Sequence, residues 1–390
     1  MAEAKNVPRI RFPGFSGEWD QRKLGEIVDV CSGRDYKHLS EGDIPVYGTG
    51  GYMLSVNEAL SYDKDAVGIG RKGTIDKPYI LRAPFWTVDT LFYAIPRENV
   101  SLDFVFDVFQ NVEWSKKDES TGVPSLSKTT INNIEAFVPE QDEQEKIGDF
   151  FADLDALIAS HRRELEDVRK LKRAMLQKMF PREGEDYPEV RFPGFTDAWE
   201  MRKLGDVGTT FNGLSGKCAD DFGHGDANFI TYMNVFTNPI TNPDMIEHVE
   251  IDSKQKEVQV GDVFFTTSSE TPEEVGMSSV IKEKQGITYL NSFCFGFRPN
   301  VQFDLDYLAY MLRSETIRSQ IKLLAQGISR FNISKNKMMD ITIRVPSFEE
   351  QNKIGDFFST LDSLIALRER EIEHLEELKK GLLQQMFCGI

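Results

Sequence analysis

The chain has 390 residues, room for about two domains of ordinary size, and its 40% hydrophobic and 28% charged residues are those of a globular protein. No apolar run approaches the ~20 residues of a membrane span, and the opening MAEAKNVPRIRF lacks the apolar core of a secretory signal, so a cytoplasmic location is expected. The net charge of −17 argues against non-specific nucleic-acid binding, and four scattered cysteines (Cys31, Cys218, Cys294, Cys388) without a CxxC argue against a disulfide framework or a zinc site.

The chain writes one phrase twice. RFPGFSGEWDQRKLGEI near the start returns as RFPGFTDAWEMRKLGDV in the middle, so that Arg11, Phe12, Pro13, Gly14 and Phe15 recur as Arg191, Phe192, Pro193, Gly194 and Phe195, with Trp19 and Trp199 following. QEKIGDFFADLDALI from Gln144 likewise returns as QNKIGDFFSTLDSLI from Gln351. The two halves begin alike and end alike, and what lies between differs in length and content.

After the first RFPGF, residues 20 to 140 mix β-like runs (DAVGIGRKGTI, TLFYAI) with a short helical one (LDFVFDVFQNV), which predicts an α+β domain. Tyr47-Gly48-Thr49-Gly50-Gly51-Tyr52 is a glycine-rich loop between aromatics without the Gly-Lys-Ser/Thr ending of a P-loop, and reads as a contact loop or a tight turn. Gly68-Ile69-Gly70-Arg71-Lys72-Gly73 is formally a GxGxxG with Asp89 downstream. A dinucleotide fold needs such glycines to open a helix, whereas TIDKPYIL follows, β-branched and broken by Pro78. What the stretch offers is Arg71 and Lys72 on a glycine turn, either solvated or set against a phosphate backbone. Ser127 heads a short helix, with Ser125, Lys128 and Thr129 beside it.

From Asp142 to Phe180 one long helix is expected. Ile147, Phe151, Leu154, Ile158, His161, Leu165, Val168, Lys172, Met175 and Met179 step by 4 and 3 along a heptad seam. The linker PREGEDYPEV (181–190) leads into a second α+β part with β-like GDVFFTT and SFCFGFRP, helical DLDYLAYMLRSETIRSQI, and Arg330, Asn332, Ser334, Lys335 and Asn336 at another short helix start. The second long helix repeats the seam from Ile354 to Met386, and its polar interruptions match the first, Arg368 with His161 and Lys379 with Lys172. Neither seam can be buried by its own helix, so the copies are expected to pair, antiparallel, about a pseudo-two-fold axis with one globular domain at each end; the alternative is that each helix packs on its own domain. Catalytic signatures do not stand out: the five histidines (His38, His161, His224, His248, His374) form no HExxH, and no GxSxG or Cys/His grouping is present.

These features resemble the specificity subunit of a type I restriction-modification system over essentially the full chain. The resemblance is carried by RFPGF followed by W and KLG, by the closing VP…EQ.KIG..F..LD.LI at 138–158 and 345–365, by LQKMF and LQQMF at the helix ends, and by GRKGT and GDVFFTTSSE in the variable parts. It implies a non-catalytic chain with two target-recognition domains (1–141 and 191–348), each reading one half of a split asymmetric DNA site. Between them the helices (142–180 and 349–390) would act as a ruler. Two modification subunits resembling adenine N6 methyltransferases would dock on the chain and bring S-adenosylmethionine, restriction subunits would join them, and this chain would bind no cofactor of its own. Candidate DNA contacts are Arg71, Lys72, Gly73, Ser127 and Lys128 in the first domain and Ser268, Ser269, Arg330, Asn332, Ser334 and Lys335 in the second. Candidate partner-docking residues are Phe12, Phe15, Phe192 and Phe195 with the helix ends Met179, Phe180, Met386 and Phe387. The rival reading is a coiled-coil scaffold for two protein partners that touches no DNA, which the acidic balance favours. A third, a dinucleotide-dependent enzyme resting on Gly68 to Gly73, would show itself by cofactor binding.

Overall fold

The computed structural model describes residues 6–389. The chain divides into two compact units, Met1–Arg163 with Glu369–Ile390, and Glu164–Arg368. In the first unit lie strands β1 (Asp20–Lys23), β2 (Val28–Ser32), β3 (Glu41–Gly48), β4 (Gly51–Val56), β5 (Ala66–Gly70), β6 (Tyr79–Leu81), β7 (Trp86–Thr87), β8 (Leu91–Pro96) and β9 (Glu135–Val138). Its helices are α1 (Leu24–Ile27), α2 (Leu102–Asn111), α3 (Lys128–Asn132) and the first part of α4 (Gln141–Lys178). The second unit holds β10 (Glu200–Lys203), β11 (Gly208–Asn212), β12 (Phe222–Ile230), β13 (Ile246–Val249), β14 (Val263–Thr266), β15 (Ser268–Ser269), β16 (Ser278–Val280), β17 (Thr288–Leu290), β18 (Cys294–Pro299), β19 (Phe331–Asn332) and β20 (Thr342–Val345). With them come α5 (Tyr232–Thr237), α6 (Leu305–Leu312), α7 (Glu315–Leu324), α8 (Lys335–Met338) and the first part of α9 (Phe348–Met386). No described helix is long and apolar enough to cross a membrane.

Although the inner sequences do not visibly match, the units share one topology. A four-stranded antiparallel sheet is ordered β2-β8-β5-β6 in the first unit and β11-β18-β14-β16 in the second. A three-stranded sheet, β4-β3-β7 or β13-β12-β17, has one antiparallel and one parallel pairing in each unit. A two-stranded ribbon, β1-β9 or β10-β20, closes each. The inner strands β5 (AVGIG) and β14 (VFFT) are buried at every position, which is why each reads as an unbroken apolar run. Gly68 and Gly70 therefore belong to a strand and open no helix; a Cβ on Gly70 would fall 1.8 Å from the Thr74 carbonyl oxygen. Tyr47 to Tyr52 forms the β3–β4 hairpin.

Helix α2 starts at Ser101, whose hydroxyl accepts from the Phe104 amide (3.4 Å), and α6 at Asp304, whose carboxylate accepts from the Tyr307 amide (2.7 Å). The helical run from Leu305 to Leu324 is two helices, broken at Arg313 and Ser314. There the half-buried Arg313 guanidinium donates to the carbonyls of Ser278 (2.8 Å) and of Val235 (2.9 Å) at the end of α5, and desolvation lowers its pKa to about 9.

The long helices have 38 and 39 residues, and their heptad seam serves two purposes. Ile147, Phe151, Leu154 and Ile158 enter the core of the first unit, Val168, Met175 and Met179 that of the second. In the first unit Asp155 pairs with Lys379 (2.6 Å) and His161 lies 3.2 Å from Glu371. In the second, Lys172 pairs with Asp362, and Glu164 with Arg368 (2.9 Å). One helix number rises as the other falls, so the pairing is antiparallel within each unit, and every polar interruption of the seam meets a carboxylate of the opposite helix.

The repeated phrase is a clasp. Arg11 grips Glu143 in the first turn of α4 with two hydrogen bonds (2.6 and 2.7 Å), and Arg191 grips Glu350 in the first turn of α9 the same way (2.7 and 2.8 Å). Both carboxylates are 1% exposed. Gly14 and Gly194 turn the chain with φ of 97° and 96°, a conformation that favours glycine. The repeated tryptophan of each phrase is buried in the core of its unit. Trp19 packs edge-on against Phe387 (6.0 Å) from the end of the second long helix, and Trp199 against Phe180 (6.3 Å) from the end of the first. The core of each unit is thus completed by the helix that belongs, in sequence, to the other half.

One buried group in this region is costly. Asp107 on α2 is 2% exposed, one of its carboxyl oxygens has no hydrogen-bond partner, and burial raises its pKa well above the carboxylate range against the pull of Lys379. A carboxyl that holds its proton more tightly folded than unfolded withholds stability increasingly as pH rises above about 4. Asp107→Asn is therefore expected to raise the thermal midpoint at pH 7 to 8 and to leave it unchanged near pH 4. Equal midpoints at pH 8 would show that Lys379 fully compensates the charge.

Candidate nucleic-acid interface

Residues far apart in sequence meet where β5 ends. The Arg71 amide donates to the Thr90 carbonyl (2.8 Å), the Leu126 amide to the Arg71 carbonyl (2.9 Å), and the Gly73 amide to the Pro124 carbonyl (2.8 Å). Lys72 bridges Ser125, and Gly73 has a φ of 97°. Ser127 then caps α3, its hydroxyl accepting from the Thr130 amide (3.0 Å) and donating to Glu119 (3.0 Å), while Lys128 opens the helix. Arg71 lies over the Phe92 ring (5.7 Å) and donates to the Asp89 carbonyl (3.3 Å). Arg71, Lys72, Gly73, Ser127 and Lys128 form one edge, and among the described residues none of its three cations has a carboxylate partner.

The second unit builds the same edge at the end of β14. The Thr267 amide donates to the Phe293 carbonyl (3.0 Å), the Ile333 amide to the Thr267 carbonyl (3.0 Å), Ser268 faces Asn332, and Ser269 faces Phe331. Ser334 and Lys335 follow at the start of α8, where Ser334 makes no side-chain cap. By these hydrogen bonds Thr267 stands where Arg71 stands in the first unit, Ser268 where Lys72 stands, Asn332 where Ser125 stands, and Lys335 where Lys128 stands. Both edges keep a lysine at the start of the short helix, but where the first carries Arg71 and Lys72 the second carries the hydroxyls of Thr267 and Ser268, so the two present different chemistry on one frame. Arg330 is exposed on the turn before β19, and Asn332 is exposed beside it. Ser269 does not contribute to this surface as placed: it is buried, and its hydroxyl donates to Glu274 (3.1 Å). The loop bearing Glu274 is held by half-buried Arg318, which donates to the carbonyls of Glu273, Val275 and Gly276 (each 2.7 Å). Sequence reasoning passed over Thr267 and the exposed Phe293; the strand end FFTTSS was the signal for the first, and nothing local marks the second.

The eight residues expected to dock partners fall into two groups. Met179, Phe180, Met386 and Phe387 are 3 to 4% exposed and fill the chain's own cores, so as placed they offer no surface to a partner. Phe12 and Phe192 meet Phe150 (5.7 Å) and Phe357 (6.2 Å) edge-on, and Phe15 and Phe195 lie under Lys146 (5.7 Å) and Lys353 (4.9 Å), each half-buried on the first turns of its long helix.

The family described as type I restriction modification DNA specificity domain matches residues 16–170 and 196–377. Among curated proteins, the type I restriction enzyme MjaVIII specificity subunit of Methanocaldococcus jannaschii is 24% identical over 281 residues, 70% of this chain and 65% of that protein. The MjaIX specificity subunit of the same organism is 20% identical over 95% of this chain and 93% of its own length. The match to the putative MjaX specificity subunit spans 61% of that protein, so the chain spans under two thirds of two of these relatives. Among solved structures, the type I restriction-modification S subunit from M. genitalium aligns over 98% of this chain and 99% of its own, with a TM-score of 0.62 and 14% identity. A chain from a structure describing complex assembly and conformational transition of a type I R-M system aligns over 98% and 100%, with a TM-score of 0.54 and 17% identity. At these identities the structural likeness concerns the fold.

Proposed function

Because the chain belongs to the type I restriction-modification DNA specificity family, we propose that it is the sequence-reading subunit of such a system, each unit reading one half of a split, asymmetric DNA site. The observation that carries this reading is the pair of edges just described: one scaffold presents Arg71, Lys72, Ser125 and Lys128 in one unit and Thr267, Ser268, Asn332 and Lys335 at the corresponding places in the other, alike in the last and unlike in the first three. A symmetric dimer of one reader would recognise a palindrome; two unlike edges on like frames suit an asymmetric site. Catalysis in this proposal belongs to partners. Two modification subunits would bring S-adenosylmethionine and methylate adenine, and restriction subunits would cleave. The first turns of the long helices, clasped alike in both units, are the repeated surface that suits two copies of one partner.

The reading is tested by assembling the chain with its modification subunit and selecting duplexes from a random pool. Enrichment of a two-part motif supports it, and retention of all sequences alike contradicts it. Within the motif, Arg71→Ala is expected to weaken binding through the first half by about 1–3 kcal/mol, the range for a base-reading arginine, without moving the thermal midpoint, because the side chain is exposed. Undiminished affinity at moderate salt would remove Arg71 from the interface.

A further inference from the structure

The second unit contains a cleft that the DNA-contact residues named so far do not include. It lies between the end of β11 and the loop 252–258, has a volume of about 410 Å3, and is lined by Thr210, Asn212, Ser215, Lys254, Gln255 and Lys256 among others, with Arg298 at its edge and no acidic residue in its lining. In a chain with 63 acidic residues against 46 basic ones, that absence needs a cause.

Charge accounting around the loop supplies one. Asp252 is taken by Lys217 (3.6 Å), Glu257 by Lys284, and Asp262 by the Arg298 fork (2.7 and 2.6 Å). What remains is Lys254 and Lys256, both exposed, neither with a carboxylate partner among the described residues. The loop is not slack. Gln255 between them is stapled to β11's continuation, accepting from the Ser215 amide (3.0 Å) and donating to the Ser215 carbonyl (3.0 Å) and to Asp252 (3.0 Å). Lys254 and Lys256 are thereby held on either side of the staple over a floor of hydroxyls and an amide. The cleft also joins the edge described above, since the Lys335 ammonium at the start of α8 donates to the Asn212 side-chain oxygen.

We propose that this cleft grips the sugar-phosphate backbone of the DNA half-site read by the second unit, with Lys254 and Lys256 neutralising phosphates and Lys335 linking the grip to the reading edge. Point charges on flexible stems, hydroxyls and an amide are what phosphate oxygens recognise, and such contacts position a duplex without carrying sequence information. The inference rests on the chain being a DNA reader and adds where the second unit holds its DNA.

The test uses the full chain assembled with its modification subunits, and the probes are the selected duplex and the same duplex with its second half scrambled. Lys254→Gln with Lys256→Gln should lower affinity at least about tenfold at 0.1 M salt and flatten the dependence of log K on log salt by roughly two, at ~0.9 for each phosphate no longer neutralised. The methylated motif should stay the same, Lys→Arg at both places should restore binding, and the thermal midpoint should not move. Parental affinity and slope in the Gln pair would overturn the proposal, and so would a changed motif, which would make these lysines base readers. A parental complex that binds duplex without sequence preference would instead contradict the DNA-reader assignment, while the slope of the Gln pair would still decide the cleft.

Discussion

Truncating Phe387 to Ala is expected to cost the first unit about 3–5 kcal/mol, the range for a large aromatic removed from a packed core. Its ring stacks on Phe104 (5.5 Å), meets Trp19 edge-on (6.0 Å) and touches Phe151 (6.2 Å), so deletion leaves three aromatic faces without a neighbour. Phe180→Ala should do the same to the second unit, where Phe180 stacks on Phe358 (6.0 Å) beside Trp199 and Tyr307. Against a typical domain stability of about 5–15 kcal/mol, either loss is large. Amide hydrogen exchange on the intact chain is the measurement. Phe387→Ala should lower protection in β5 and β8 and spare β14 and β18, and Phe180→Ala should do the reverse. Uniform loss of protection in both variants would contradict the division of the cores, and a cost under about 1 kcal/mol would contradict the plug.

Breaking one clasp is expected to be nearly as severe. Arg11→Ala leaves the Glu143 carboxylate 1% exposed without its counter-ion, and removing one partner of a buried pair costs about 3–5 kcal/mol. Glu143→Gln should cost less, because the amide still accepts a hydrogen bond from the guanidinium. Replacing both partners by Met should recover much of the loss, since no uncompensated charge remains. Denaturant titration of Arg11→Met, Glu143→Met and the double Met variant gives the coupling energy. Additive losses would mean that Arg11 and Glu143 act independently, contrary to the bidentate geometry.

What was legible in the sequence was what is local or repeated. A 4,3 heptad step is written in consecutive residues, so both long helices could be read; the length of the seam pointed to pairing, the short linker to an antiparallel course, and the matched interruptions at His161, Lys172, Arg368 and Lys379 to a specified register. What covers the seam could not be read. Phe151 and Val168 lie on one apolar stripe, yet one enters the first unit's core and the other the second's, a division set by residues far along the chain. The shared topology of the inner parts was hidden for the same reason. Strand order is a pattern of long-range hydrogen bonds, and β5 with AVGIG can occupy the place of β14 with VFFT because both only need to be apolar on two faces. The candidate edges were half legible: GRKGT and the serines before each short helix stood out, but that Lys72 faces Ser125, or Ser268 faces Asn332, emerges only from the fold. The repeated RFPGF was visible at once, while the use of its arginine as an internal clasp was not, because the partner carboxylate lies more than a hundred residues away.

The measurement that tests the central claim most directly is to co-express the chain with its modification subunit and map N6-methyladenine across the host genome by single-molecule sequencing. The account predicts one two-part, asymmetric motif with a fixed spacer that disappears when this chain is omitted. A modification subunit that is active beside another specificity chain but yields no motif beside this one would contradict it.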